Sequence, residues 1–119
     1  MPSNDPEIVV ADGVPTIEIG KSVNVEYRNI PWGKNPPVVI QLYWFEDIDS
    51  SCMPKTAGTQ LTYKKIDQKE SGDFFIEGKS FSNKYGVGEY RFVAQDSFPN
   101  FPVHYGRTPI VCSEIFEII

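Results

Sequence analysis

The stretch from residue 87 to residue 95 alternates between apolar and polar positions, as a β-strand with one buried face does. Tyr90, Phe92 and Ala94 share one side of such a strand, and mainly charged or polar residues occupy the other side. A Gly-Val-Gly turn signal comes directly before it. The pattern predicts a long strand whose apolar face packs on a core.

Shorter strands are predicted along most of the chain. Residues 22–27 place Val23, Val25 and Tyr27 on one face, and residues 38–45 form the longest apolar run. Ten prolines and nine glycines divide the chain into short segments, which is typical of all-β proteins. Further strands are predicted at residues 8–10, 16–19, 60–66, 73–77 and 109–119.

Irregularities are predicted in the first and last strands. Turn-forming residues at 12–15 split the first strand in two, and the apolar phase shifts midway along the last strand. A β-bulge near Ser113 and Glu114 would reconcile the two phases. Helix is expected only as a turn or so, at 79–85 or 46–53.

About seven antiparallel strands in this order predict an all-β, immunoglobulin-like β-sandwich. Trp44 falls on the third strand, where such a core holds a tryptophan, and we expect it near the centre of the core. Tyr90 falls at the position of the corner tyrosine of this fold. The length of 119 residues fits one domain, predicted at 7–119 after a flexible leader at 1–6.

The net charge of −5 at pH 7 narrows the set of partners. No basic cluster exceeds the pair Lys64 and Lys65, so neither nucleic acid nor an anionic membrane surface is expected as a partner. No apolar run approaches transmembrane length, and Met1 is followed by polar residues rather than by the apolar core of a signal peptide. We therefore expect no membrane insertion.

The two cysteines are predicted to be free thiols, although one disulfide is the alternative. Cys52 lies in a polar loop and Cys112 in the last strand, and their spacing specifies no pairing. Where secreted immunoglobulin domains carry the second cysteine of their sheet-to-sheet disulfide, this chain has Phe92. Free thiols fit a reducing, cytoplasmic location. The location would be extracellular if a signal peptide had been removed.

The strongest candidate binding site is the end of the sandwich formed by loops 29–37 and 96–108. In an immunoglobulin-like fold these two loops leave the same end. Prolines stiffen both loops, which lowers the entropy lost on binding. The candidate binding residues are Trp32, Asn35, Asp96, Phe98, Asn100, Phe101, His104 and Tyr105. The alternative is that the aromatic rings fold back and close the end of the sandwich.

This pair of loops predicts a non-enzymatic binding module for a protein partner, with an exposed sheet edge as a further contact surface. The alternative is a carbohydrate-binding module or small lectin, in which exposed aromatics stack on sugar rings. Tyr43 and Phe45, on the outer face of the third strand, would add to that surface unless loops cover them. A third class is an accessory domain packed against the catalytic domain of a larger enzyme.

Catalytic, metal and cofactor chemistry is not indicated. His104 is the one histidine of the chain, and no serine or cysteine nucleophile is recognisably paired with it. Residues 46–51 offer oxygen ligands for calcium but lack the turn glycine and a sufficient number of ligands. Two cysteines and one histidine match no zinc pattern. We therefore predict no enzyme activity, no metal and no cofactor.

Two short motifs near the end of the chain carry a family resemblance. Gly-Glu-Tyr-Arg-Phe at 88–92 and Ser-Glu-Ile-Phe at 113–116 resemble the last two strands of the SKICH domain. That family comprises intracellular immunoglobulin-like modules in autophagy adaptors and in an inositol phosphatase. The resemblance implies a cytoplasmic, non-enzymatic adaptor domain.

Overall fold

A computed structural model describes residues 5–30, 38–56, 59–66, 71–96 and 109–119, with the backbone alone described at 65, 66, 96, 109 and 110. The described strands are β1 Glu7–Val10, β2 Thr16–Ile17, β3 Val23–Arg28, β4 Val38–Trp44, β5 Thr62–Ile66, β6 Gly72–Ile76, β7 Gly88–Asp96, β8 Pro109–Cys112 and β9 Phe116–Ile118. Helical turns are confined to Ala11–Gly13, Phe45–Asp47 and the consecutive segments Gly78–Ser80 and Phe81–Tyr85 among these residues.

The strands form two sheets that pack as a β-sandwich. One sheet has the order β1-β3-β6, and the other has the order β2-β9-β7-β4-β5, with β8 also paired to β7. The predicted all-β, immunoglobulin-like sandwich is confirmed. Of the seven predicted strands, the first, second and fifth contribute β1, β3 and β6 to one sheet, and the third, sixth and last contribute β4, β7 and β8 with β9 to the other. Nine strand segments are described and not seven, because the first predicted strand is split into β1 and β2 and the last into β8 and β9.

One pairing corrects the prediction of purely antiparallel strands. β2 runs parallel to β9, with Ile17 opposite Ile118. The chain reaches β2 from the other sheet through Ala11–Gly13, where φ is 50° at Ala11 and 55° at Asp12. This left-handed turn moves the first strand from the side of β3 to the side of β9, where it continues in the direction of the last strand.

Alternation along β3 and β7 decides which side chains enter the core. In β3, every second residue from Val23 to Tyr27 is buried. In β7, Tyr90 and Phe92 are buried, and the centroid of each ring lies 5.6 Å from that of Phe116 in β9. These stacked aromatic rings join neighbouring strands of the larger sheet along its inner face.

Tyr90 forms the predicted tyrosine corner. Its hydroxyl donates a hydrogen bond of 2.5 Å to the carbonyl of Gly86, which has a φ of 90° that glycine adopts without strain. Trp44 stacks on Tyr90 with ring centroids 4.4 Å apart. The prediction that Trp44 lies near the centre of the core is wrong, because the side chain is half-buried at the end of β4. A Cβ at Gly88 would lie 2.5 Å from the Trp44 ring, so this close packing needs glycine.

Burial of Tyr90 makes stability depend on alkaline pH. Burial, with a smaller effect from Tyr85, raises the pKa of Tyr90 from 10.0 to about 12. The folded state therefore holds this proton more tightly than the unfolded state, so the stabilisation is complete below pH 10.0 and is lost as the pH rises towards about 12. We expect wild type to lose unfolding free energy relative to Tyr90→Phe across that window, measured by urea unfolding. An unchanged difference between the two proteins would contradict the raised pKa.

Ser113 stabilises the predicted break between β8 and β9. Its N–H donates to the carbonyl of Phe92 at 2.8 Å, and its hydroxyl accepts from the Phe92 N–H at 3.0 Å. Ser113 is 1% exposed, so this hydroxyl satisfies a buried donor that would otherwise lack a partner. The side chain of Arg91 also donates to the Ser113 carbonyl. Near Ser113 and Glu114 the structure thus has a break between β8 and β9 in place of the predicted β-bulge, and the register shift in the pairing of β7 with β8 lies between Ala94 and Gln95.

Candidate functional site

Three of the four strand ends that flank the two loops of the predicted binding tip lie side by side in the larger sheet. Val38, the first residue of β4, lies opposite Asp96, the last residue of β7, and Gln95 lies opposite Pro109 at the start of β8. The first loop therefore ends, and the second loop begins and ends, at one end of the larger sheet, while the first loop begins at β3 of the smaller sheet. The backbone of Asp96 is at this end, whereas Trp32, Asn35, Phe98, Asn100, Phe101, His104 and Tyr105 lie outside the described residues.

The start of the first loop is anchored to two other segments. Ile30 is fully buried, which fixes the chain where it leaves β3. The backbone N–H of Asn29 donates to Ser71 Oγ at 3.2 Å, and its side-chain Nδ2 donates to the carbonyl of Asp5 at 3.3 Å. Asn29 has a φ of 55°, a left-handed conformation that asparagine tolerates better than most residues. The hydrogen bonds of Asn29 and the burial of Ile30 therefore fix the start of the first loop.

A buried polar network holds the sheet close to the second loop. The Tyr43 hydroxyl donates to Gln41 Oε1, and Gln95 Nε2 donates to the same oxygen at 2.6 Å. Gln41 is 8% exposed and Gln95 6%, so these hydrogen bonds form in a largely dry environment, where they order the strands that carry them. The sequence prediction missed this network. Its signal was Gln41, a polar residue inside the apolar run of β4.

The outer face of β4 and β7 is covered by residues 45–56, which we call the cover loop. Ile48 in this loop is 5% exposed and packs against Tyr43 and Val93. Tyr43 is only 2% exposed, so it is not available to stack on a sugar or a partner. Phe45 remains 38% exposed at the start of the loop. Of the two alternatives for Tyr43, an exposed ring on the outer face or a ring beneath a loop, the structure shows the second.

A disulfide ties the cover loop to the sheet and overturns the prediction of free thiols. Cys52 and Cys112 are bonded, with Cα atoms 5.9 Å apart and a sequence separation of 60. They meet because the cover loop folds back across β4 and β7 and so reaches β8, where Cys112 lies opposite Val93. The cytoplasmic location stays a prediction without its free-thiol argument, since disulfides are typical of oxidising compartments.

Two aromatic side chains remain strongly exposed away from the loops. Tyr63 in β5 and Phe75 in β6 are each 63% exposed. Tyr63 lies opposite Gln41 and Phe75 opposite Asn24, so both point away from the core of the sandwich. β5 and β6 are edge strands in the described sheets. Tyr63 and Phe75 therefore lie on edge strands of different sheets and point outward from opposite faces of the sandwich.

Arg28, the last residue of β3 before the first loop, is already matched by carboxylates. Arg28 donates from Nη1 to Glu7 at 3.0 Å and from Nη2 to Glu26 at 2.9 Å. The hydrogen bonds to Glu26 and Glu7 raise the pKa of Arg28. Such exposed pairs add little stability. Because two carboxylates surround the guanidinium, this position does not attract a phosphate or another anion.

Residues 46–51, where the sequence offers oxygen ligands but predicts no calcium site, include a carboxylate with a structural role. Asp49 Oδ1 accepts hydrogen bonds from the backbone N–H groups of Ser51 and Met53, at 2.8 and 3.0 Å. These bonds close the turn of the cover loop that carries Cys52. Within the described ranges, no group of three or more His, Cys, Asp or Glu side chains could hold a metal ion.

Comparisons with known proteins give no family for this chain. The sequence matches no protein-family model, and a search of curated proteins found no match. In the part of the chain that the structure describes, no helix is long and apolar enough to cross a membrane. A functional interpretation therefore depends on the geometry of the loop bases and the exposed surfaces.

Proposed function

We propose that this protein is a non-enzymatic binding module that engages a protein partner through loops 29–37 and 96–108. The observation that carries the proposal is the pairing of Val38 with Asp96, because it sets the bases of both loops side by side. Aromatic residues in two adjacent, proline-rich loops can form one contact surface. The resemblance to the SKICH domain supports an adaptor role.

The frame beneath the loops supports this proposal. Ile30 is buried at the base of the first loop, and Gln95 is hydrogen-bonded within the buried network at the base of the second. A rigid base limits the conformational freedom that binding would otherwise remove. A glycan remains an alternative ligand, but Tyr43 is buried and contributes no stacking surface to it.

The loop variants Trp32→Ala and Phe101→Ala test the proposal. We expect each to weaken binding by at least about 30-fold, since truncation at a hot spot commonly costs about 2 kcal/mol or more. Their free energies of unfolding should change by no more than about 0.5 kcal/mol, as for other exposed positions. Binding is measured on a glycan array and by cross-linked capture of protein partners, and stability is measured by thermal melts of the same samples.

Val87→Ala is the matched control, because Val87 is 60% exposed and precedes β7 at the end opposite Asp96. It should change neither binding nor stability. Binding lost with the loop variants but kept with the control supports the tip. Destabilised loop variants with unchanged binding would show that Trp32 and Phe101 close the end of the sandwich, and the proposed tip would then be wrong.

A further inference from the structure

Strands β5 and β6 are consecutive in the chain but form edges of different sheets. β5 pairs with β4 and β6 pairs with β3, and each lies at the end of its described sheet. Ile66, at the end of β5, lies opposite Val38, while Gly72, at the start of β6, lies opposite Tyr27. β5 therefore ends and β6 begins near the loop bases. The two edges flank the same side of the sandwich and run in opposite directions.

The two edges carry opposite charges and similar apolar residues. β5 reads Thr-Tyr-Lys-Lys-Ile and β6 reads Gly-Asp-Phe-Phe-Ile, so each has five residues. The sequence of the first edge contains Lys64 and Lys65, and Asp73 is exposed on the second edge. Each edge also holds one aromatic residue that is 63% exposed, Tyr63 or Phe75. The two edges are thus opposite in charge, equal in length and alike in carrying one exposed aromatic residue.

We propose that a second copy of this chain docks on this side of the sandwich, with β5 of each copy pairing with β6 of its partner. A two-fold axis parallel to the strands places these edges together. It also makes the paired strands antiparallel, because β5 and β6 are antiparallel within one chain. The contact is isologous, so both pairings form in one closed dimer, as is usual for soluble homodimers. The dimer extends each sheet across the interface.

The side-chain pattern selects one register for this pairing. When the five residues of each strand are fully matched, Tyr63 lies opposite Phe75 of the other copy, and the backbone position of Lys65 lies opposite that of Asp73 of the other copy. Tyr63 and Phe75 both face outward in their own sheets, and the two-fold axis keeps the outward faces on the same side. Aromatic pairs and opposite charges across antiparallel strands are stabilising. The symmetry makes each of these favourable pairs twice.

The lysines on β5 make this contact selective. A lysine on an edge strand discourages indiscriminate pairing with other strands. An acidic edge neutralises that charge, and β6 provides one through Asp73. Two β5 edges would instead place lysines beside each other, which disfavours other arrangements of the same copies.

Charge reversal across the interface tests the proposal by analytical ultracentrifugation over a range of concentrations. Wild type should form a dimer and no larger species. Lys65→Glu and Asp73→Lys should each weaken the dimer about tenfold or more, because two attractive pairs become repulsive. A mixture of the two variants should regain dimers, since both pairings are then complementary. Lys21→Glu and Glu114→Lys, at exposed positions off these edges, control for the change in net charge.

Three results would overturn this inference: a monomer at every concentration, open-ended assemblies, or single variants that dimerise as well as wild type. The loop variants Trp32→Ala and Phe101→Ala should leave the dimer unchanged. Failure of the edge contact is therefore distinguishable from failure of the loop tip. Loss of dimers in the loop variants alone would also contradict the edge contact.

Discussion

Removal of the Cys52–Cys112 disulfide is expected to lower the free energy of unfolding by about 4 kcal/mol, the loop-entropy value for a separation of this size. The bond spans 60 positions, so the unfolded chain gains considerable freedom when it is broken. In the folded state it holds the cover loop over Tyr43 and Val93. The double variant Cys52→Ala/Cys112→Ala should show the loss in urea unfolding at matched protein concentration.

Reduced wild type is the matched control for this prediction. It should unfold at nearly the same urea concentration as the double variant, and the variant itself should not respond to reductant. Mass spectrometry of the non-reduced protein should show the mass of one disulfide. A mass corresponding to two free thiols, or equal stability of the oxidised and reduced proteins, would contradict the bond between Cys52 and Cys112.

Phe92→Ala is expected to lower the free energy of unfolding by about 3–5 kcal/mol, as for other large aromatic residues truncated in a core. Phe92 is 1% exposed, and its ring meets those of Phe116 at 5.6 Å and Phe74 at 6.2 Å. The stacked ring of Phe116 and the edge-on ring of Phe74 cannot collapse fully into the space, so a cavity remains. A loss of this size is a large part of a typical total of about 5–15 kcal/mol.

Phe75→Ala provides the control for the same residue type at an exposed position. Phe75 is 63% exposed, so in the monomer its truncation should change the free energy of unfolding by no more than about 0.5 kcal/mol. Both variants are compared in urea at a concentration low enough to exclude dimers. Equal losses for Phe92→Ala and Phe75→Ala would contradict the assignment of the inner and outer faces of the sandwich.

Local pattern was sufficient where a feature depends on nearby residues. Alternation in β3 and β7 predicted which side chains are buried, because successive residues of a strand must point to opposite faces. The phase shift of the apolar positions predicted an irregularity near Ser113, although as a β-bulge and not as the break between β8 and β9 that the structure has. The corner position of Tyr90 followed from its place at the start of a strand after a glycine turn, and its hydrogen bond to Gly86 is local in sequence.

Features that depend on distant segments were not predictable in this way. The cover loop buries Tyr43, although alternation alone places that ring on the outer face of β4. Trp44 was expected at the centre of the core, but β4 ends there, so its ring packs at the margin. The candidate binding tip was predicted only through the topology of the fold, and the structure describes the bases of its loops.

By itself, the sequence determined the fold class, the approximate strands and the inward faces of β3 and β7. These depend on periodicity over a few residues, which a strand converts directly into a buried and an exposed side. Only the tertiary structure decided that Cys52 reaches Cys112, that β2 runs parallel to β9, and that β5 and β6 are edges on one side. Those outcomes depend on which distant segments meet, and no local pattern specifies the partner of a strand or what covers its outer face.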